Sequence, residues 1–409
     1  MAEKEERLTG FLGTTTVLGI EIVIYGLSLA LMLVPGGWIL IAEVLLLVAV
    51  LAFLRRNPAL SAQIRELFAA NARAGWIGAV VLVLLIPFFV ASSPYWLFTI
   101  ILAGLFMTAC FGLNLQLGST GMVNLASAAF YAVGAYTAGL LALKLGWPAW
   151  LTLLAGAVMA GFFSALLFIP VLKTRGHYLA LVTIAFQFMV TILLDNQEWT
   201  GGPQGLKNIP LFSIAGYSFN DSIDLGFIVL PGYANFFYLM LLMAAVVGVV
   251  SQRIYNSWVG VTLSTIRDDE ITAQTFGVGV NHWKLVIFSL GNCFIGLAGA
   301  FYAHLVGFIS PPNFTFEKSL VMVSIVILGG MDNVFGIILG SLLLIILPEK
   351  LRVVQEYRFL IYGLVLIIML INRPRGLLPF KPRDYLDLVR RAQRKQAVPA
   401  SSEVAEGGV

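Results

Sequence analysis

The chain is built from successive runs of predominantly apolar residues, most of them near the roughly 17–25 residues that a helix needs to cross the hydrocarbon core of a bilayer. They fall at 11–33, 38–54, 75–91, 95–117, 122–143, 147–167, 178–194, 233–250, 285–307, an interrupted pair at 319–328 and 334–347, and 359–371. In lipid every backbone polar group needs a partner inside the protein, which leaves helices or a closed barrel. Runs of this length, without alternation, select helices. With 59% hydrophobic and 11% charged residues, the chain carries about half the charge of a soluble domain. The expected fold is an all-α, polytopic helical membrane protein with about 11–12 transmembrane segments.

Lysine and arginine in the connecting segments set the orientation. Arg55, Arg56, Arg65 and Arg73 mark one cytoplasmic loop, Lys173 and Arg175 a second, and Arg253, Arg267 and Lys284 a third. The tail adds Arg375, Lys381, Arg383, Arg390, Arg391, Arg394 and Lys395. These regions share one side only if the interrupted pair goes in and returns, so the turn at 329–333 is cytoplasmic or buried and 348–358 lies outside. Both termini are then expected in the cytoplasm. Of the two long polar stretches, 195–232 falls outside and 251–284 inside. The expected organisation is an N-terminal membrane hairpin with a basic linker (1–74), a core (75–379) and a disordered cytoplasmic tail (380–409). Charge placed in this way orients a membrane protein and does not describe a nucleic-acid binder.

Catalytic signatures are missing. His177, His282 and His304 lie on separate segments without metal-ligand spacing. There is no nucleophile elbow and no His-Glu-x-x-His. The dipeptide Gly-Lys does not occur, so there is no Walker A loop and ATP-driven work needs another subunit. Cys110 and Cys293 sit in apolar segments as packing residues. Glu21 and Glu43 fall within the first two runs, where an ionised carboxylate costs about 2.5–3.5 kcal/mol; they read as packing or neutral carboxyls. Neither a catalytic site, a metal site nor a cofactor is expected.

The remaining signals are neutral. Glycines interrupt 112–124, and Asn114, Gln116, Gly121 and Asn124 there, with Gln187 in a later run, are candidates to line a solute path. Gly134/Ala138 and Gly296/Ala300 have the spacing of close helix contacts. In the inner loop, Thr265 and Asp268 match a capping box, acids crowd the next turn, and Gly277 is a natural stop. A short helix over 266–276 is expected, as a docking element for a cytoplasmic partner, since it is too short to persist alone.

In order along the chain stand Gly112-Leu-Asn-Leu-Gln-Leu-Gly118, Ala128-Ala-Phe-Tyr-Ala-Val-Gly-Ala-Tyr-Thr137 and Lys173-Thr-Arg-Gly-His-Tyr-Leu-Ala-Leu-Val-Thr183. They are followed by Thr200-Gly-Gly-Pro-Gln-Gly-Leu206, Ile266-Arg-Asp-Asp-Glu-Ile-Thr-Ala-Gln-Thr-Phe-Gly-Val278 and Gly299-Ala-Phe-Tyr-Ala-His-Leu305. Ser310-Pro-Pro312, Leu328-Gly-Gly330 and Asn372-Arg-Pro-Arg-Gly-Leu-Leu378 complete the set. Each motif is weak alone, but the ordered set, from about Trp96 to Pro379, resembles the LivM-type permeases of branched-chain amino acid ABC importers. The resemblance implies an inner-membrane subunit with a LivH-type partner permease, two cytoplasmic ATP-binding subunits and an extracytoplasmic solute-binding protein. It implies that Ile266, Arg267, Asp268, Asp269, Glu270, Phe276 and Gly277 form an ATPase coupling helix, and that Thr200, Gly201, Gly202 and Pro203 belong to the face receiving the binding protein. The sequence departs from the family pattern at Gln187, where an acid is common nearby, and at Met331-Asp-Asn333. Alternatives are a permease of the same superfamily for urea or short amides, a stand-alone secondary transporter, which the scarcity of acids in the core disfavours, and a membrane-embedded enzyme, which lacks a catalytic constellation.

Overall fold

The structure is a computed structural model that describes residues 71–91, 93–171, 178–214, 217–224, 229–350 and 376–378, with isolated positions between 19 and 26 and between 360 and 371. The expected spans at 11–33, 38–54 and 359–371, both termini and the tail lie almost wholly outside the described residues.

Among the described residues the helices are α1 (Ala72–Leu84), α2 (Ile86–Val90), α3 (Pro94–Thr120), α4 (Ser127–Leu145), α5 (Ala149–Val171), α6 (Tyr178–Asn196), α7 (Tyr233–Tyr255), α8 (Trp258–Asp268), α9 (Glu270–Thr275), α10 (Val280–Val306), α11 (Phe316–Gly329) and α12 (Val334–Lys350). Six of them, α3 to α7 and α10, are long and apolar enough to cross a membrane. The only strands described are two-residue hairpin ladders, Ser213–Ile214 with Tyr217–Ser218 and Ile223–Asp224 with Val229–Leu230, inside the long polar stretch. The fold is that of an all-α polytopic membrane protein.

α10 is the central helix and packs on α3, α4 and α5. Small residues allow this. A Cβ on Gly134 of α4 would lie 2.0 Å from the Gly296 carbonyl oxygen, and one on Gly112 of α3 would lie 2.2 Å from that of Gly291. Backbones in such contact gain dispersion and exclude every larger residue. The small-residue spacing therefore marks a real interface at Gly134 and Gly296. On the far side of α5, Leu154, Val158, Phe162 and Leu166 form a stripe of four-residue spacing, each at least 54% exposed. An apolar face of that kind is the expected surface toward lipid.

The two ends of the bundle agree with the parity argument. Tyr95 at the start of α3 bonds Glu349, and the Lys350 ammonium lies 4.8 Å from the Trp96 ring, so the end of α12 sits with the start of α3. At the other end Asp332 meets both Ser119 and Arg267, which puts the 330–333 turn beside the segment that follows α7. Two expectations are corrected. α4 begins at Ser127, not at 122, because Gly121 adopts a left-handed φ of 70° and residues 121–126 leave the helix. The helix expected over 266–276 is two helices with a break at Asp269 (φ −155°, ψ 108°).

Candidate translocation and coupling site

The break at 121–126 strands backbone amides inside the bundle, and side chains take them up. Asn124 Oδ1 accepts from the Ala126 amide at 2.9 Å, Thr183 Oγ1 from Leu125 at 3.1 Å, Ser319 Oγ from Ala128 at 2.8 Å and Gln187 Oε1 from Ala129 at 2.7 Å. Apart from Asn124, which lies in the break itself, the caps are drawn from α6 and α11, far along the chain. The amide nitrogen of Asn124 is shared between Gln116 Oε1 (2.8 Å) and Asn292 Oδ1 (3.0 Å). Asn292 in turn donates to Ser164 at 2.8 Å, and Gln116 donates to the Phe288 carbonyl at 3.0 Å. Gln187 donates to the Phe314 carbonyl at 2.9 Å. Gln116, Gln187, Asn292, Thr183 and Ser319 are fully buried and Asn124 is 1% exposed. Four of the expected path residues, Gln116, Gly121, Asn124 and Gln187, therefore surround one helix break, and the three polar ones have their hydrogen bonds made within the chain.

Asn114 belongs to a second cluster, at the end of α3. It donates to the Tyr255 hydroxyl, and its Oδ1 accepts the Asp332 amide at 3.0 Å. Asp332 has a left-handed φ of 61° and a side chain 9% exposed. Its carboxylate accepts from Ser119 Oγ at 2.9 Å and from Arg267, whose guanidinium also donates to the Gly118 carbonyl at 2.6 Å. Burial raises the Asp332 carboxyl above its ordinary range, and Arg267 and Ser119 pull it partly back. Arg267 thus points into the bundle and ties α8 to α3 and to the α11–α12 turn. Other members of this segment divide. Ile266 is fully buried and packs with Ala273 and Val280, whereas Ile271 and Phe276 are 73% and 80% exposed. Glu270 pairs with Lys284, and Asp268 is largely exposed. The cap of α9 is Asp269, whose Oδ1 accepts from Ile271 and Thr272 at 2.9 and 3.2 Å. The Thr272 hydroxyl, which donates to Asp269 Oδ2, and after it these two amides hold the Asp269 pKa below the ordinary value. Thr265 is not a cap: its hydroxyl donates back to Val261 inside α8. Gly277 ends the segment at φ 81°.

At the other end of the bundle, Thr200 is buried and donates to the Leu194 and Gln197 carbonyls, while Pro203 is exposed. Gly201 and Gly202 both have positive φ and form a compact turn. Leu206 pairs with Ile309 in a short antiparallel bridge, which staples this turn to the segment entering α11. The residues that sequence reasoning missed are Thr183, Asn292, Ser319 and Lys318. Hydroxyls and one carboxamide in apolar runs carry no local signal when their partners lie elsewhere in the chain.

Residues 95–370 match the family model described as the branched-chain amino acid transport system / permease component. The chain belongs to this permease family. It is 37% identical over 283 residues to the high-affinity branched-chain amino acid transport system permease protein LivM of Escherichia coli (strain K12), a match spanning 66% of each chain. It has the same identity and coverage with the protein of that name from Salmonella typhimurium. It is 21% identical over 248 residues to a probable branched-chain amino acid transport permease protein LivM of Methanocaldococcus jannaschii, covering 57% of this chain and 68% of the relative. No solved structure matches the chain. As a member of this permease family, with six helices long and apolar enough to cross a bilayer among the described residues, it is a multi-pass protein of the inner membrane.

Proposed function

We propose that the chain is the membrane-spanning subunit of an ABC importer for branched-chain or related amino acids. In this reading it lines the solute path together with a LivH-type partner permease. Two cytoplasmic ATP-binding subunits drive it, and an extracytoplasmic solute-binding protein delivers the substrate. The observation that carries the reading is Arg267, one side chain that bonds both the end of α3 and the 330–333 turn from within the segment proposed to dock an ATPase. A push on Ile271 and Phe276, the exposed apolar residues of that segment, reaches the bundle through Ile266 and Arg267. Asp268, Asp269, Glu270 and Gly277 shape and orient the docking face. Asn114, Gln116, Gly121, Asn124 and Gln187 serve the path by holding the helix break beside it. The turn at Thr200, Gly201, Gly202 and Pro203 belongs to the face that receives the binding protein. Residues 75–379 constitute the permease core, with 1–74 and 380–409 added to it.

The test is uptake of labelled L-leucine by cells with and without the intact gene. Loss of ATP-dependent uptake on deletion, restored by the full chain, is expected. Uptake by proteoliposomes that hold this chain alone would instead make it a secondary transporter.

A further inference from the structure

A cleft between α3, α4, α10 and the start of α11 has no part in the roles above. Its walls include Leu102, Phe106, Tyr131, Tyr302, Phe314 and Lys318, around about 380 Å³ of unfilled space, mouth included. Phe106 stands near the middle of α3, and the Lys318 ammonium lies 5.7 Å from its ring centroid. The cleft therefore opens near the mid-depth of α3, one of the two longest crossing helices described. A lysine at that level is costly against lipid and belongs to a wet cavity or a pairing site. Among the described residues no carboxylate forms an ion pair with Lys318. Tyr131 supplies an independent sign. It is 5% exposed, and its buried hydroxyl has no hydrogen-bond partner among the described residues. A buried hydroxyl without a partner is an expense that native cores avoid unless water or a ligand completes it. The first turn of α4 also reaches the cleft at Ala128. Its amides at Ala128 and Ala129 are already bonded to Ser319 and Gln187, so α4 contributes a favourable field and not a donor. Asn313 adds one further polar group to the lining, and the rest of the wall is aromatic or aliphatic: Phe314 lies 6.0 Å from Tyr131 and 6.2 Å from Tyr302 between ring centroids.

We infer that this cleft is a binding site for a small carboxylate bearing a short branched aliphatic chain, with Lys318 and the Tyr131 hydroxyl on the carboxylate and Leu102 and Phe106 on the aliphatic end. Two donors of this kind, one charged, fit a carboxylate better than an amide or urea. The identification with an amino acid cargo rests on the proposed function, but occupancy of the cleft can be read without transport. The experiment places a reporter at Leu102→Cys in a Cys110→Ala/Cys293→Ala chain, in membranes holding the complete transporter, and measures its rate of modification by a thiol reagent. L-Leucine and isovalerate are expected to slow modification, and L-leucinol, which lacks the carboxylate, is not. Lys318→Gln is expected to weaken protection about tenfold or more and Tyr131→Phe about fivefold. Lys318→Arg keeps the charge, should keep protection, and so certifies that a loss is not misfolding. Protection by leucinol equal to that by leucine, no protection by either acid, or full protection in Lys318→Gln overturns the site. Normal leucine uptake beside any of these results leaves the importer reading standing. Protection by isovalerate in a chain that moves no leucine overturns that reading alone.

Discussion

At the scale of single residues, the Arg267–Asp332 pair decides most. A carboxylate whose side chain is 9% exposed needs its counterion. Removing one member of such a pair costs more than the pair itself contributes, because a buried charge stays behind. Arg267→Met should therefore destabilise the chain by about 1–3 kcal/mol, and Asp332→Asn in the same chain should return part of that loss. Thermal unfolding of the four chains of the double-mutant cycle measures it; strict additivity would deny the pair any coupling. The pH dependence has a definite sign. The Asp332 carboxyl is raised in the folded chain, and losing Arg267 removes a cause that lowers it. The folded state of Arg267→Met then holds its proton over a wider range, so its stability falls as pH rises through that range. Its deficit against wild type should be smaller at acid pH than at neutral pH. Asp332 was noticed in the sequence only as a departure from a common turn. Its role became legible once Ser119, Gly118 and Arg267 were brought to it from two other elements.

At the scale of elements, hydropathy located every described crossing, since length and apolar content are what lipid selects. It failed at the ends. Residues 122–126 are as apolar as the helices around them; the glycines up to Gly121 and Asn124 signal an interruption but do not fix where α4 begins. The break is held by Thr183, Gln187 and Ser319, and no window of local sequence contains them. The capping box at Thr265 failed for a different reason. α8 was already helical at Thr265, and Asp269, one residue beyond the assumed pattern, had the better geometry to cap a new start. The corrected boundary makes its own prediction. Asp269→Ala should release the Ile271 and Thr272 amides and speed their hydrogen exchange, about fivefold for a lost cap of ordinary strength. Exchange in α8 should not change. If the Ile271 and Thr272 amides exchange at the wild-type rate, the two helices do not depend on that cap.

At the scale of the whole molecule, the structure pairs the ends of the helices, and the basic loops name the sides. The turn containing Met331, 45% exposed, shares its end with Glu270, and the turn containing Glu198 lies at the opposite end with Leu206 and Ile309. Single cysteines at Met331 and Glu198, in a chain without Cys110 and Cys293, should be modified from opposite sides by a membrane-impermeant thiol reagent. Met331→Cys should react in inverted vesicles and Glu198→Cys in intact cells. Labelling of both from one side would break the parity on which the topology rests.

The break before α4 also bears on how the protein is made. Two of its amides find no partner in the hairpin of α3 and α4, which leaves the ribosome before α6 and α11. Leu125 waits for Thr183, 58 residues later, and Ala128 waits for Ser319, 191 residues later, while Ala126 and Ala129 are bonded locally to Asn124 and to the Ala126 carbonyl. At synthesis rates of about 5–20 residues per second, that is about 10–40 seconds during which the donor stands open. Through that interval α4 is an unfinished crossing, held at the insertion machinery or against its neighbours with polar groups exposed. Damage to Ser319 would therefore show first as poor membrane insertion and turnover of young chains, before any folded copy could be tested for transport.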